Sequence, residues 1–439
     1  MSTRQEWRLA SFRADVTAPL GHALMGGGIA PARTVDDPLE AIGFALSGPG
    51  QLPVVLVSVD WCEIRNDAYE RWRSALAEAA GTEPGRVLVT AVHVHDAPVA
   101  DLAAEEILRA HGCAGSVCDP EFHEVAVSRV ADAVRGSLAA GGDPVTHVGF
   151  GQAQVREVGS NRRYPRSDGS ISFGRTSACR DPDAWAAPEG LIDPALKALT
   201  FFDGDRALLT VSCYAVHPMS HYGAGAVSAD FPGLARRARQ AATPGTAQIY
   251  ASGCSGNVTC GKYNDGAPAM RGVLASRLEA AMAEAAGAAA SHRTPLQRAQ
   301  LRVTPMTFAA REGDGFSADD LAARLAGDPK PFGQCLAALG LSWRARLDAG
   351  APVDLPVLDF GPALVALLPG EAYVEFGLLA QQLRPDAWVM AIGYGEAAGG
   401  YIPTAQHVAE GDDNLDDWSW VDPSAEDVLT DALRRVLPG

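Results

Sequence analysis

The stretch from Leu52 to His95 does most to restrict the fold. Leu52–Val59 (LPVVLVSV) is a continuous apolar run rich in β-branched residues, the pattern of a strand buried on both faces. Asp67–Ala80 (DAYERWRSALAEAA) carries helical periodicity and is closed by Thr82-Glu83-Pro84-Gly85. Arg86–Val92 (RVLVTAV) then predicts a second buried strand. Strand, helix, strand is a parallel crossover, which makes the chain an α/β protein. His93 and His95 arrive at the carboxyl end of that second strand, the edge where open α/β sheets hold their ligands.

The rest of the chain continues in the same style. Pro120–Leu138, Phe231–Ala242, Ala267–Ala290 and Ala425–Val436 read as helices, and a further helix follows Glu371 to about Gln382. His147–Val155, Gln297–Ala310, Ala363–Leu368 and Trp388–Tyr394 read as strands. Ala195–Phe202 and Ala207–Val216 flank Asp203-Gly204-Asp205 and predict a hairpin. The expectation is one domain over residues 1–439, with a mixed, largely parallel central sheet flanked by helices. No internal repeat or long linker is visible, and Glu312–Pro331, enriched in Gly, Asp and Pro, reads as a surface excursion.

Composition narrows the partners. A hydrophobic content of 47% supplies a sizeable core, while a net charge of −17 argues against nucleic acid or an anionic membrane surface. No apolar run approaches the roughly 18 residues of a transmembrane helix, so no integral membrane segment is expected. Met1–Ser11 is polar and lacks the apolar core of a secretory signal, which makes the cytoplasm the expected compartment. The eight cysteines show no framework spacing and read as reduced thiols, although Cys113 and Cys118 can pair in an oxidising compartment. The substrate is then a small molecule, and a homo-oligomer is allowed.

Chemistry-bearing residues collect at strand ends. In a strand, His93 and His95 point to one face and can both serve a metal; equally, they can be two polar residues closing a strand. Cys213–Tyr222 (CYAVHPMSHY) ends another apolar run with His217 and His221. Pro369-Gly370-Glu371 sets a carboxylate after a buried strand, where a helix start would also favour it. Tyr401, after Gly399-Gly400, otherwise reads as a packing residue with a wet hydroxyl. Asp60 can support a site residue or simply cap the first strand, and Asn161-Arg162 can bind a substrate oxyanion or only solvate a basic loop. The acidic pairs Asp412-Asp413 and Asp416-Asp417 read as a solvated face, with calcium the alternative.

Taken in order, these segments resemble the catalytic domain of the neutral/alkaline ceramidases. TAVHVHDAP (90–98) is similar to that family's THTHSGP, AVHPM (215–219) to its AVHxTS, and Ser228-Ala229-Asp230 to its SGD. GCSGNVT (253–259) resembles its NxGDVSPN, LPGE (368–371) its PGE, GYIPT (400–404) its YxxT, and ADVTAP (14–19) its ADITGP opening. Asn161-Arg162 fall where its NRS segment does. The resemblance implies Zn²⁺ held by His93, His217, Glu371 and Tyr401; beside those ligands, His95 and Arg162 are the expected catalytic groups and Asn161, Asn257 and Thr259 the expected substrate contacts. On this reading a metal-activated water cleaves an amide (N-acyl) bond, His95 moves the proton, Arg162 steadies the oxyanion, and Asp60 or Asp96 orients a ligand histidine.

Departures from the family pattern point away from ceramide. Thr259 replaces the family's serine, Asn257 its aspartate, and His95-Asp96-Ala97-Pro98-Val99 its HSGPGG; the expectation is also of a chain without the family's export signal and following β-sandwich domain. Two other readings stay open: a zinc-dependent ester or phosphoester hydrolase or lyase on a small metabolite, and a binding protein without turnover.

Overall fold

The computed structural model describes residues 6–313 and 315–438, so the first five residues of the polar opening, and Asp314 of the Gly-rich excursion, lie outside the described residues. Three consecutive stretches of chain build three main sheets. The first takes β1 (Trp7–Asp15), β2 (Glu40–Ser47), β3 (Val54–Val59), β4 (Val87–Ala91) and the short β5 (Asp143–Val145), in the order β4-β3-β2-β1-β5. The second takes β6 (His147–Gln154), β7 (Ala195–Asp203), β8 (Arg206–Tyr214), β9 (Ala247–Ser252) and the short β10 (Arg293–Pro295), ordered β9-β8-β7-β6-β10. The third takes β11 (Gln300–Met306), β12 (Val353–Asp359), β13 (Ala363–Leu367) and β14 (Trp388–Ile392), in chain order.

The three sheets repeat one plan. Their first and second strands pair antiparallel, as do the second and third, and the third and fourth pair parallel. A helix carries each crossover from third strand to fourth, and a second helix returns over the first strand. These are α1 (Asn66–Ala80) and α2 (Pro120–Ala139), α3 (Asp230–Ala242) and α4 (Ala269–Ser291), and α5 (Val374–Leu383) and α6 (Ala425–Val436). The largely parallel single sheet expected from the sequence is therefore corrected to three mostly antiparallel sheets, each with one parallel pair. The reason is the connections. Only a helical crossover permits a parallel neighbour, whereas the tight links β2–β3, β7–β8 and β12–β13 force antiparallel ones. The threefold plan also has no echo in the residues, because it lives in the topology alone.

The inner faces of the sheets meet in a shared core. Phe44 of β2 packs edge-on against Phe201 of β7 at 5.2 Å, and Phe201 against Phe360, just past β12, at 5.8 Å. The fourth strands close a ring at their carboxyl ends. Ala91 N–H donates to the Tyr394 carbonyl (3.0 Å), Gly393 N–H to Ser252 (2.9 Å), and the Ser252 hydroxyl to Val92 (2.7 Å). All three parallel pairs thus aim their carboxyl ends at one place.

Elsewhere, Glu312–Pro331 is not a bare excursion. It holds a helix, Ala318–Gly327, capped by Ser317 and burying Leu321 and Leu325 beside the helix Pro331–Asp348. The eight cysteines are all free, Cys113 and Cys118 included. Among the described residues no helix is long and apolar enough to cross a membrane.

Candidate metal centre

Each sheet delivers one side chain to the point of convergence. His93 lies two residues past β4, His217 three past β8, and Glu371 four past β13. The strand β4 stops at Ala91, so the His93–His95 pair is not on a strand as expected. His93 takes a left-handed φ of +69°, which swings the chain round so that His95 Nδ1 donates back to the His93 carbonyl (3.2 Å). A non-glycine residue in that region is costly and persists only when its surroundings hold it there. Tyr394, two residues past β14, has the same feature with φ +56°. Tyr401 comes to the site through a two-residue parallel ladder in which Glu371 is its direct partner.

His93, His217 and Glu371 are buried, at 2%, 0% and 1% exposure. His217 Nε2 lies 2.8 Å, and His93 Nε2 3.1 Å, from the same carboxylate oxygen, Glu371 Oε2. Their other ring nitrogens fix the tautomer. His93 Nδ1 donates to the Cys62 carbonyl (3.0 Å) and His217 Nδ1 to the Ser255 carbonyl (2.7 Å). A carbonyl only accepts, so each neutral ring carries its proton on Nδ1 and turns an Nε2 lone pair toward an anionic oxygen. Burial pushes both imidazoles toward neutrality, yet the adjacent Glu371 carboxylate holds His93 well above the usual histidine range. His217, buried and near the Arg162 cation, falls to about 4. Against the cost of burial, His93 and His217 hold Glu371 well below the ordinary carboxylate range. A proton on His93 relieves one lone-pair contact and leaves the other. A cation at the junction relieves both, and two imidazoles, each oriented from behind by a backbone carbonyl, form with one carboxylate a donor set that suits zinc.

Around this trio stand residues of two kinds. Tyr394 stacks on His93 at 4.3 Å, and its hydroxyl lies 3.2 Å from His217 Nδ1 and 2.7 Å from Ser255 Oγ. Tyr401, buried and so pushed well above the usual phenol range despite the nearby Arg162, accepts a hydrogen bond from Arg162 Nη1 (2.8 Å). His95 is 7% exposed, and burial together with the charge of His93 lowers it well below the usual histidine range. With Nδ1 engaged, its Nε2 has no protein partner among the described residues. His93, His95, Arg162, Glu371 and Tyr401 all line one cavity of about 360 Å³, with Tyr222, Phe332 and Trp418 adding aromatic walls.

Other residues singled out from the sequence sit elsewhere. Asn161 Nδ2 donates to the Leu191 carbonyl, and its Oδ1 accepts from the Arg163 N–H. Asn257 accepts from Val374 N–H and donates to Glu375, tying the loop after β9 to the start of α5. The Thr259 hydroxyl donates to the Arg175 and Thr176 carbonyls. None of the three lines the cavity, because other groups of the protein have claimed their polar atoms. Asp60 is spent on Arg236 (2.6 Å) and Asp96 on Gly223 N–H (2.9 Å), so His93 and His217 are oriented by the Cys62 and Ser255 carbonyls instead. His221 is half-buried, and its carbonyl accepts from Arg271. Tyr394 and Ser255 were missed. The available signal was position: each lies just beyond a fourth strand, as His93 does.

No family model matches the sequence, and no curated protein does. Solved structures do match, among them a neutral ceramidase from Pseudomonas aeruginosa, at 17% identity, and a ceramidase complexed with C2, at 18%. Each superposes with a TM-score of 0.72 over 99% of this chain, covering 74% and 75% of the other chain respectively. At such identities the likeness speaks for architecture: over essentially its whole length, this chain has a neutral ceramidase-like fold.

Proposed function

We propose that the protein is a zinc-dependent hydrolase that cleaves the amide bond of a compact N-acyl substrate other than ceramide. His93, His217 and Glu371 hold the ion, with Tyr401 as the fourth protein donor. The observation that carries this reading is the convergence of two Nε2 atoms on one Glu371 oxygen, at 3.1 and 2.8 Å, where the neutral His217 turns a lone pair on the anion even when His93 is protonated; a cation there satisfies all three groups. Zinc supplies a Lewis acid there, lowering the pKa of water toward about 7 and polarising a carbonyl. The chain's own groups do the rest. His95, kept neutral by burial, accepts a proton at Nε2 and returns it to the leaving amine nitrogen. Arg162, buried and fixed by Tyr401 and Asn414, offers N–H groups to the oxygen on which charge develops.

Two further facts favour an amide and a small molecule. Solved structures with this fold are named ceramidases, and a ceramidase cleaves an N-acyl bond. A cavity of about 360 Å³ sits at the small end of the range for ligand sites. The test is elemental analysis of the purified protein, followed by turnover of a panel of amides, esters and phosphoesters before and after chelation. One zinc per chain and chelator-sensitive amide cleavage are expected. Absence of metal, or activity indifferent to chelation, overturns the reading.

A further inference from the structure

The mouth of the cavity is built unlike its floor. Asp413 and Asp417 line it, both solvent-exposed, and among the described residues neither carboxylate forms an ion pair. Phe332 and Trp418 line it too, stacked at 6.2 Å with their planes 21° apart; Trp418 is held in place by an indole N–H to Glu63 (2.9 Å), and the Arg65 guanidinium already lies 5.8 Å over its ring. Deeper in the same cavity, the 93%-buried His95 presents its unpartnered Nε2, which marks the space as one that receives a ligand with a polar group.

Carboxylates beside aromatic faces are a recognition chemistry for ammonium ions. The carboxylate supplies the counter-charge, and the ring face, negative at its centre, supplies a desolvated contact. An anionic group in the same position would meet two like charges on a chain of net charge −17. A long alkyl chain would leave both carboxylates facing hydrocarbon.

We infer that the substrate carries an alkylammonium group, seated between Asp413, Asp417 and the Phe332–Trp418 pair, on the side of the molecule directed toward the cavity mouth. The inference deepens the hydrolase reading: the scissile amide is taken from that reading, but the cation is not.

Three matched amides separate the possibilities: N-acetylputrescine (cationic), N-butylacetamide (neutral) and N-acetyl-γ-aminobutyrate (anionic). Binding of each to the full-length, zinc-loaded protein is measured by calorimetry, and amine release is assayed in parallel. The cationic amide is expected to bind on the order of tenfold more tightly than the neutral one, and the anionic one more weakly still. In the Asp413→Asn/Asp417→Asn variant the cationic advantage disappears while the neutral amide binds as before. Equal binding of cationic and neutral amides, or preference for the anionic one, overturns the inference, even if some amide is hydrolysed. Selective binding of the cation with no hydrolysis of any amide supports the inference and counts against the hydrolase reading instead.

Discussion

Glu63 and Glu371 occupy the same place in two of the three sheet units, and their fates differ. Each begins a two-residue strand just past its unit's third strand, and each such strand pairs parallel with a segment following the fourth: Glu63 with Val99, Glu371 with Tyr401. Both carboxylates are fully buried. Glu63 is met by donors, Arg65 Nη1 at 2.8 Å and Trp418 Nε1 at 2.9 Å, and burial, only partly offset by Arg65, lifts it to about 7. Glu371 is met by two imidazole nitrogens, and that of the neutral His217 presents a lone pair because its one proton is fixed on the far side. One backbone device thus places a carboxylate at the convergence point twice, and the neighbours decide what it becomes. Where N–H donors surround it, the carboxylate holds the fold together. Where lone pairs surround it, the carboxylate asks for an ion.

The sharpest way to break this contrast is Glu371→Gln. The amide keeps the shape but removes the anionic oxygen, and zinc content by elemental analysis is expected to fall to background together with activity, while circular dichroism stays native. Retention of stoichiometric zinc would mean that Glu371 is a second structural Glu63. His95→Ala asks a narrower question, whether holding the ion and moving the proton are separate tasks. Zinc should remain at one per chain, and kcat should drop about 10²–10⁴-fold, the usual worth of a positioned proton carrier. Loss of the metal in this variant would make His95 a ligand. Glu63→Gln completes the comparison from the other side. Metal content should be unchanged, but Arg65 loses part of its compensation in a site with no exposure. Breaking a buried pair this way costs about 3–5 kcal/mol, and the lower end is expected because Asp101 still faces Arg65 at 3.3 Å. Urea denaturation measures it.

How far the sequence carried the reading follows from the same physics. The apolar runs Val54–Val59 and Val87–Ala91 are legible because strands buried on both faces have no polar period, and His93 is legible as the polar group that ends one. That same lack of a period hides direction: a fully buried run reads identically whether its neighbour is parallel or antiparallel. This is why one largely parallel sheet was expected where three mostly antiparallel ones occur. Glu40–Ser47 and Val353–Asp359 went unread, the first because its glycine and alanines blunt the β signal, the second because Pro356 interrupts it. Glu371 and Tyr401 have weak local signals, and only a likeness to a known family set them beside His93 and His217. Tyr394 had no such help, since a tyrosine closing a strand looks like packing until the three strand ends are brought together.

The loop after β9 gives the smallest and most discriminating test. From its place in the sequence, Asn257 was expected to face substrate, but both ends of its side-chain amide are used on α5: Oδ1 accepts Val374 N–H at 2.9 Å and Nδ2 donates to Glu375 at 2.9 Å. That is the role of a capping residue supplied from a distant loop, satisfying an N–H that the first turn of α5 cannot satisfy itself. Asn257→Ala should therefore cost about 1–2 kcal/mol of unfolding free energy and leave KM for any accepted substrate within about twofold. A large rise in KM at unchanged stability would return Asn257 to the substrate side. The first outcome keeps the unit-two loop in the class of Glu63, part of the scaffold that lets Glu371 do something else.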